Sequence, residues 1–247
     1  MWCKNMLYDK VEVLQVFVEE HNVTTKKIAD YIALEKPVKI LLNGKKIITL
    51  SSSPSFIEEL ALGYLLTNRL ICSAEDVKEI HVRGLEVHVK TRATDVKPTN
   101  TSRLEFGRDQ SLKVEPRVII EAFRELNERM IIFKKTGCTH AAALADQKGR
   151  IICMAEDIGR YNAIDKVIGK AFMMGLRLNE TFMMVTSRIS STIIKKICNV
   201  SILLIASISA PTLSAISTAK RLGITLIGFV RDCRLNVYSN PYRLLLS

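Results

Sequence analysis

Glu156-Asp157-Ile158-Gly159-Arg160-Tyr161-Asn162-Ala163-Ile164-Asp165-Lys166-Val167-Ile168-Gly169 places two carboxylates, a glycine, an arginine and an asparagine within its first seven residues and then runs into a helix-forming stretch. Such crowding suits a strand-to-helix junction. There, free N-terminal amides, a guanidinium and a close backbone approach can together hold an anion. A helix cap with a local ion pair uses the same residue types, so the flanking sequence has to decide.

Before the stretch, apolar runs over residues 141–146 and 150–155 surround Gln147-Lys148-Gly149 and predict a hairpin. After it, the pattern predicts a helix over 162–174, a strand over 182–186, a helix over 190–197 and a strand over 202–207. A helix over 213–222, closed by Gly223, and a strand over 225–230 follow. Upstream, Pro116 opens a helix with Ile119, Ile120, Phe123, Leu126 and Met130 on one face. Helices alternating with short β-rich runs predict an α/β layer with a largely parallel sheet.

The first part of the chain is mixed. Val11, Val13, Val16 and Val18 suggest a strand in a leading segment over residues 1–33. Residues 38–42 and 45–50 flank Asn43-Gly44, a strong hairpin signal. Ser55-Phe56-Ile57-Glu58 predicts a capping box opening a helix through Leu66. A second hairpin is expected around Gly84, then a polar loop over 91–108 containing Pro98. The expected organisation is an N-terminal extension and small α+β lobe over 1–112, then an α/β domain with flanking helices over 113–247.

With 48% apolar residues in 247, the chain can bury a core and is not disordered. The longest apolar run, 200–210, is broken by three serines and falls short of the ~18 residues a membrane span needs. The N-terminus lacks a signal-peptide apolar core, so the expected location is cytoplasmic, with no membrane partner. The six cysteines form no Cys-x-x-Cys pair, which argues against a zinc knuckle or dithiol motif. A net charge of +11 calls for an anionic partner. The basic residues come as short pairs with few aromatics to stack bases, so a phosphate-rich small molecule fits at least as well as nucleic acid.

In an α/β sheet, ligands bind at the carboxyl ends of the strands. Those ends are predicted to carry Glu156 to Arg160, Thr186-Ser187-Arg188-Ile189-Ser190, Ser207-Ile208-Ser209-Ala210-Pro211-Thr212 and Phe229-Val230-Arg231-Asp232-Cys233-Arg234. Three of the four contain arginine, which grips pyrophosphate or carboxylate bidentately. A single serine before a helix, such as Ser190 or Ser209, is also an ordinary N-cap. Thr136-Gly137-Cys138-Thr139-His140 leads into a strand of small residues that leaves room for a ligand beside His140.

Five ordered motifs carry a resemblance. They are Thr136-Gly137-x-Thr139-His140-Ala141-Ala142-Ala143, the Glu156 to Lys166 stretch, Arg188-Ile189-Ser190, Ser209-Ala210-Pro211-Thr212 and Gly228-Phe229-x-Arg231. With Pro37 to Gly44 and Glu58 to Leu65, they resemble the formate dehydrogenase accessory sulfurtransferase family over residues 33–243. The resemblance implies a cytidine-deaminase-like α/β domain with a mixed sheet, a small N-terminal lobe and a homodimer. It implies maturation of molybdenum or tungsten formate dehydrogenase. Members bind the bis-(molybdopterin guanine dinucleotide) cofactor and pass it sulfur from a cysteine desulfurase.

The implied cofactor contacts are Phe229, Val230, Arg231, Asp232, Cys233 and Arg234, of which only Phe229 and Arg231 match the family pattern and the others follow by position. Arg188 and Arg231 would hold phosphates, Ser190 and Thr212 would supply hydroxyl or helix-start donors, and His140 would face the pterin or metal.

The family's sulfur-carrying cysteines lie in a Cys-x-x-Cys loop, where this chain has Thr101-Ser102-Arg103-Leu104-Glu105-Phe106-Gly107. Tyr161 replaces a histidine and Ser187 a glycine of the family pattern. Two readings stay open: a sulfurtransferase using a substitute such as Cys138, or a carrier of the same family without sulfur chemistry. The reading that Cys138's residue type favours is a small buried thiol that fills space. A zinc deaminase is excluded, because His140-Ala141-Ala142 lacks the glutamate and no cysteine pair exists.

Overall fold

The computed structural model describes residues 7–92 and 112–246. The loop expected over 91–108 lies outside these residues from position 93 onward, as do Cys3 and the Thr101 to Gly107 segment.

The C-terminal part is built on a six-stranded sheet. The hairpin around residues 147–149 appears as β7 (His140–Ala145) and β8 (Ile151–Asp157). Then come α4 (Arg160–Met173), β9 (Phe182–Val185), α5 (Ser191–Asn199), β10 (Leu204–Ser207), α6 (Leu213–Arg221) and β11 (Thr225–Gly228). Gly223 follows α6 at φ +68°, a left-handed stop that glycine adopts without strain. A short strand, β12 (Asn236–Ser239), closes the edge.

The order is β12-β11-β10-β9-β7-β8, with parallel pairing only at β9–β10 and β10–β11. The expected largely parallel sheet is therefore mixed. β8 and β9 both pair antiparallel with β7, so β8 to β11 run one way while β7 and β12 oppose them. The five-residue connection after β7 can only return the chain antiparallel, since a parallel pair needs a long crossover.

Side-chain alternation sorts the sheet's two faces. Ala141, Ala143 and Ala145 pack with Phe123 and Leu126 of α2 (Pro116–Arg129). Ala142 and Leu144 face α4 with Ile164 and Val167. Small residues on β7 let both helical layers approach closely.

The first lobe holds a four-stranded sheet, β4-β3-β6-β5, from β3 (Lys36–Leu42), β4 (Lys45–Ser52), β5 (Val77–Arg83) and β6 (Glu86–Thr91). Its helix α1 (Ile57–Thr67) crosses α4 at backbone contact. A Cβ added at Gly63 would meet the Asp165 carbonyl at 1.7 Å, and one at Gly169 the Glu59 carbonyl at 1.9 Å. The expected capping box is not formed. Phe56 instead takes φ +52° at the N-cap without a side-chain cap, and its ring lies 4.5 Å from the Lys170 ammonium.

The leading segment is a long hairpin, β1 (Tyr8–Glu19) and β2 (Asn22–Ala33), which among the described residues pairs only with itself. Among the described residues, no helix is long and apolar enough to cross a membrane.

Candidate functional site

Because β8 to β11 share a direction, their carboxyl ends meet the start of β7 at one edge. His140, the first residue of β7, pairs with Asp157, the last of β8. Here a pocket of about 430 Å³ is lined by His140, Ile158, Arg160, Thr186, Ser187, Arg188 and Ser209. Arg160 opens α4 directly after Gly159, where a Cβ would come within 2.7 Å of the Asn162 amide nitrogen. That amide donates to the Ser51 carbonyl at 2.7 Å and to Asp157 Oδ1 at 3.0 Å, which folds the turn tightly.

The pocket is cationic and lacks its own counter-ions. Among the described residues, neither Arg160 nor Arg188 has a carboxylate within ion-pair distance. Arg160 instead donates to the Tyr161 hydroxyl at 3.1 Å, with its guanidinium 4.8 Å from the ring centre. Tyr161 is in turn 3.1 Å from Ser190 Oγ. That hydrogen bond, more than the nearby guanidinium, holds the phenol below its ordinary pKa. Burial, and then the charges of Arg160 and Arg188, push the His140 pKa below the ordinary imidazole value. His140 is thus neutral at pH 7 and offers one donor and one acceptor.

A second cavity, of about 370 Å³, shares His140 and Thr186 with the first. Its walls are mainly apolar: Phe123, Leu126 and Met130 at α2, Phe133 of α3 (Ile131–Thr136), and Ile208. Cys138 lines it and is exposed, contrary to the space-filling expectation. Among the described residues the buried thiols are Cys153, which burial pushes up to about 11, and Cys198, which burial also raises.

The carboxylates of the opening stretch are used internally. Glu156 accepts from the Ile132 and Phe133 amides at 3.0 and 2.7 Å and from the Thr139 hydroxyl at 2.9 Å, so it caps α3. Asp157 accepts from the Gly159 amide at 2.7 Å, the Ser52 hydroxyl at 2.7 Å, the Ser53 amide at 3.1 Å and Lys166 Nζ at 2.5 Å. The cap-and-ion-pair reading therefore holds for Glu156 and Asp157, while Arg160 faces the pocket.

The structure brings His140 and Arg188 together, with Ser190 one contact away through Tyr161. Thr212 Oγ1 accepts from the Ala215 amide at 3.2 Å and so caps α6. Phe229, at φ +50°, donates its amide to Ser209 O at 3.2 Å, and buried Val230 donates to Ser207 O at 3.0 Å. Arg231 donates to Ile208 O at 2.5 Å and to Val230 O at 2.9 Å. The Asp232 carbonyl accepts from Arg124 at 2.8 Å, and Cys233 and Arg234 are exposed. These six residues form the neighbouring connection rather than the pocket lining, joined to the two cavities through Ile208 and Ser209. Sequence reasoning missed Asn127 and Phe133 as cavity residues, and took Phe123 and Met130 only as core because their helical spacing is the same for either role.

The FdhD/NarQ family model matches residues 33–245. The chain belongs to the FdhD/NarQ family. Similar relatives include a protein named sulfur carrier protein FdhD from Shouchella clausii, 34% identical, with the match covering 90% of this chain and 92% of the relative. One of the same name from Methanothermobacter thermautotrophicus is 31% identical over 97% and 99% of the two chains. A crystal structure from Desulfotalea psychrophila, assigned as a formate dehydrogenase accessory protein, superposes with a TM-score of 0.83. It is 27% identical and covers 96% of this chain and 99% of its own. The FdhD/NarQ match begins where β2 ends, so nearly all of the β1–β2 hairpin precedes it.

Proposed function

We propose that this FdhD/NarQ protein acts in the cytoplasm as a homodimer to mature formate dehydrogenase, by holding the bis-(molybdopterin guanine dinucleotide) form of its molybdenum or tungsten cofactor. One observation carries this reading: Arg160 and Arg188 share a pocket in which, among the described residues, no carboxylate pairs with either, beside a neutral histidine. Two guanidiniums without an ion-pair partner among the described residues suit a pyrophosphate, which accepts paired hydrogen bonds from each. Ser187 and Ser209 add polar groups, and His140 can bond an oxygen or ring nitrogen without adding charge. The adjoining apolar cavity suits a flat ring system attached to that pyrophosphate, and Arg231 lies on the next connection.

Sulfur transfer from a cysteine desulfurase is part of the reading, with Cys138 as carrier. Its thiolate would attack the terminal sulfur of the desulfurase persulfide, forming a new S–S bond on Cys138 and releasing the desulfurase thiolate. A second reading, a carrier without sulfur chemistry, is favoured by the lack of any cysteine across Thr101 to Gly107. Isothermal calorimetry with guanosine diphosphate tests the binding role: measurable affinity that survives in wild type and falls in Arg188→Ala supports it, and no heat with wild type refutes it. Mass spectrometry after incubation with desulfurase and cysteine separates the two readings. A persulfide on Cys138 supports the relay, and none on any cysteine leaves the carrier.

A further inference from the structure

We infer that the β1–β2 ribbon is a docking arm for a second copy of this chain. The inference rests on the two-copy assembly proposed above and names its surface. Among the described residues the ribbon pairs only with itself, in unbroken register from Tyr8↔Ala33 to Glu19↔Asn22, apart from both larger sheets. At ~3.3 Å per residue its twelve-residue strands span about 40 Å. The root is anchored: Lys135 Nζ lies 4.7 and 4.9 Å from the ring centres of Tyr8 and Tyr31 and donates to the Tyr8 hydroxyl at 2.9 Å.

Beyond the root the ribbon carries exposed apolar side chains that no other described residue of the chain covers. Facing partners share a face, so Leu14, Val16, Val18 and Val23 lie on one side, with Val18 77% and Val23 64% exposed. Val11, Phe17 and Ile32 lie on the other side, all about half exposed. An isolated two-stranded hairpin is marginally stable in water, and contiguous exposed apolar patches mark interaction surfaces. Apolar residues on both faces allow the arm to dock through either one.

Charge selects that occupant. Residues 8–33 hold three lysines against five carboxylates, a net −2 that leaves +13 on the rest of the chain. An acidic arm on a basic body complements the body of another copy. Reciprocal exchange also supplies the area. One ribbon face is about 40 by 10 Å, or roughly 400 Å². Each protomer would bury its own arm face and the patch receiving its partner's arm, near the ~800 Å² per side of a specific interface.

Sedimentation velocity on the full chain tests this. The expected wild-type species is a dimer. Val16→Glu with Val18→Glu on one face, or Val11→Glu with Phe17→Glu on the other, should raise the dimer Kd about tenfold or more in at least one pair, since buried interface carboxylates lack partners. Unchanged circular dichroism serves as the folding control. A dimer unaffected by both pairs overturns the arm and leaves the two-copy reading standing, whereas a wild-type monomer at all concentrations overturns both. Carboxyl-to-amine cross-linking of a mixture of isotope-labelled and unlabelled wild-type chains needs no variant. Links from Glu19 or Glu20 to lysines of the other copy are expected, and only intrachain links would sink the arm.

Discussion

Asp157 and Lys166 meet 2.5 Å apart with both side chains wholly out of solvent, whereas Arg160, three residues from the same aspartate, faces an open pocket with no carboxylate in reach among the described residues. The two regions draw on one stretch of sequence and treat charge oppositely. In the interior, every oxygen of Asp157 is engaged, and Lys166 also donates to the Ser53 carbonyl at 2.9 Å. Burial depresses the Lys166 pKa, with Asp157 opposing the shift. A parallel cluster joins Lys196 to Asp165 at 2.8 Å and the Thr67 hydroxyl to Asp165 at 2.8 Å, where burial raises the aspartate pKa. Both clusters sit where α1 and β4 meet the larger lobe. They fix lobe against lobe and so set the turn that presents Arg160. The pocket's charges are left uncompensated and available to an anionic ligand.

The largest expected effect comes from breaking the interior pair. Lys166→Met should cost about 3–5 kcal/mol in urea unfolding, because Asp157 is left buried and charged without its partner. Pairing it with Asp157→Leu should recover much of the loss, since well-packed apolar groups often replace a buried ion pair at little cost. A single change costing under about 1 kcal/mol would place the pair in water after all. At the pocket, Arg188→Ala should leave the urea midpoint unchanged and weaken guanosine diphosphate binding by about 1.5–3 kcal/mol, the worth of a hydrogen bond to a charged group. Reversal of those two outcomes would invert the assignment of roles.

Thr212 offers a smaller contrast. Its hydroxyl caps α6, so Thr212→Ala should destabilise by about 1 kcal/mol and Thr212→Ser should restore most of that. Diphosphate affinity should stay constant in both. A loss of affinity at unchanged stability would move Thr212 into the binding surface.

How far these roles could be seen in the sequence follows from what fixes each one. The hairpins at Asn43-Gly44 and residues 147–149 were legible because turn chemistry and alternation are local. So was the edge gathering His140 and Arg188, since it follows from strand direction alone. The fates of Glu156, Asp157 and Lys166 were not legible, because each depends on a partner more than twenty residues away or in the other lobe. Nothing local marks Lys166 or Lys196 for burial: the packing of α1 on α4 through Gly63 and Gly169 covers Lys166, and Lys196 on α5 is buried against Thr67 of α1 and Asp165 of α4. The β1–β2 ribbon shows only an uneven valine pattern, because neither of its faces meets a core in its own chain. Phe56 defeated the capping box by docking its ring against Lys170, a tertiary contact overriding a local signal.

The finest test is the titration of His140, because it reports on the pocket's field without disturbing the fold. Burial contributes most to its lowered pKa, and Arg160 and Arg188 add to it. Arg188→Ala should therefore raise the His140 pKa measured by NMR without returning it to the ordinary value, and bound pyrophosphate should raise it further by offsetting the guanidinium charge. The sign for stability follows from the same shift. With a folded pKa below the unfolded one of about 6.5, the unfolded chain takes up protons first, so stability falls as pH drops through that value toward the folded pKa. Diphosphate binding should run the other way, tightening over the same interval as His140 becomes a cation. An His140 titration identical in wild type and Arg188→Ala would leave burial and Arg160 as its causes and remove Arg188 from the pocket, separating the two regions on different terms from those drawn above.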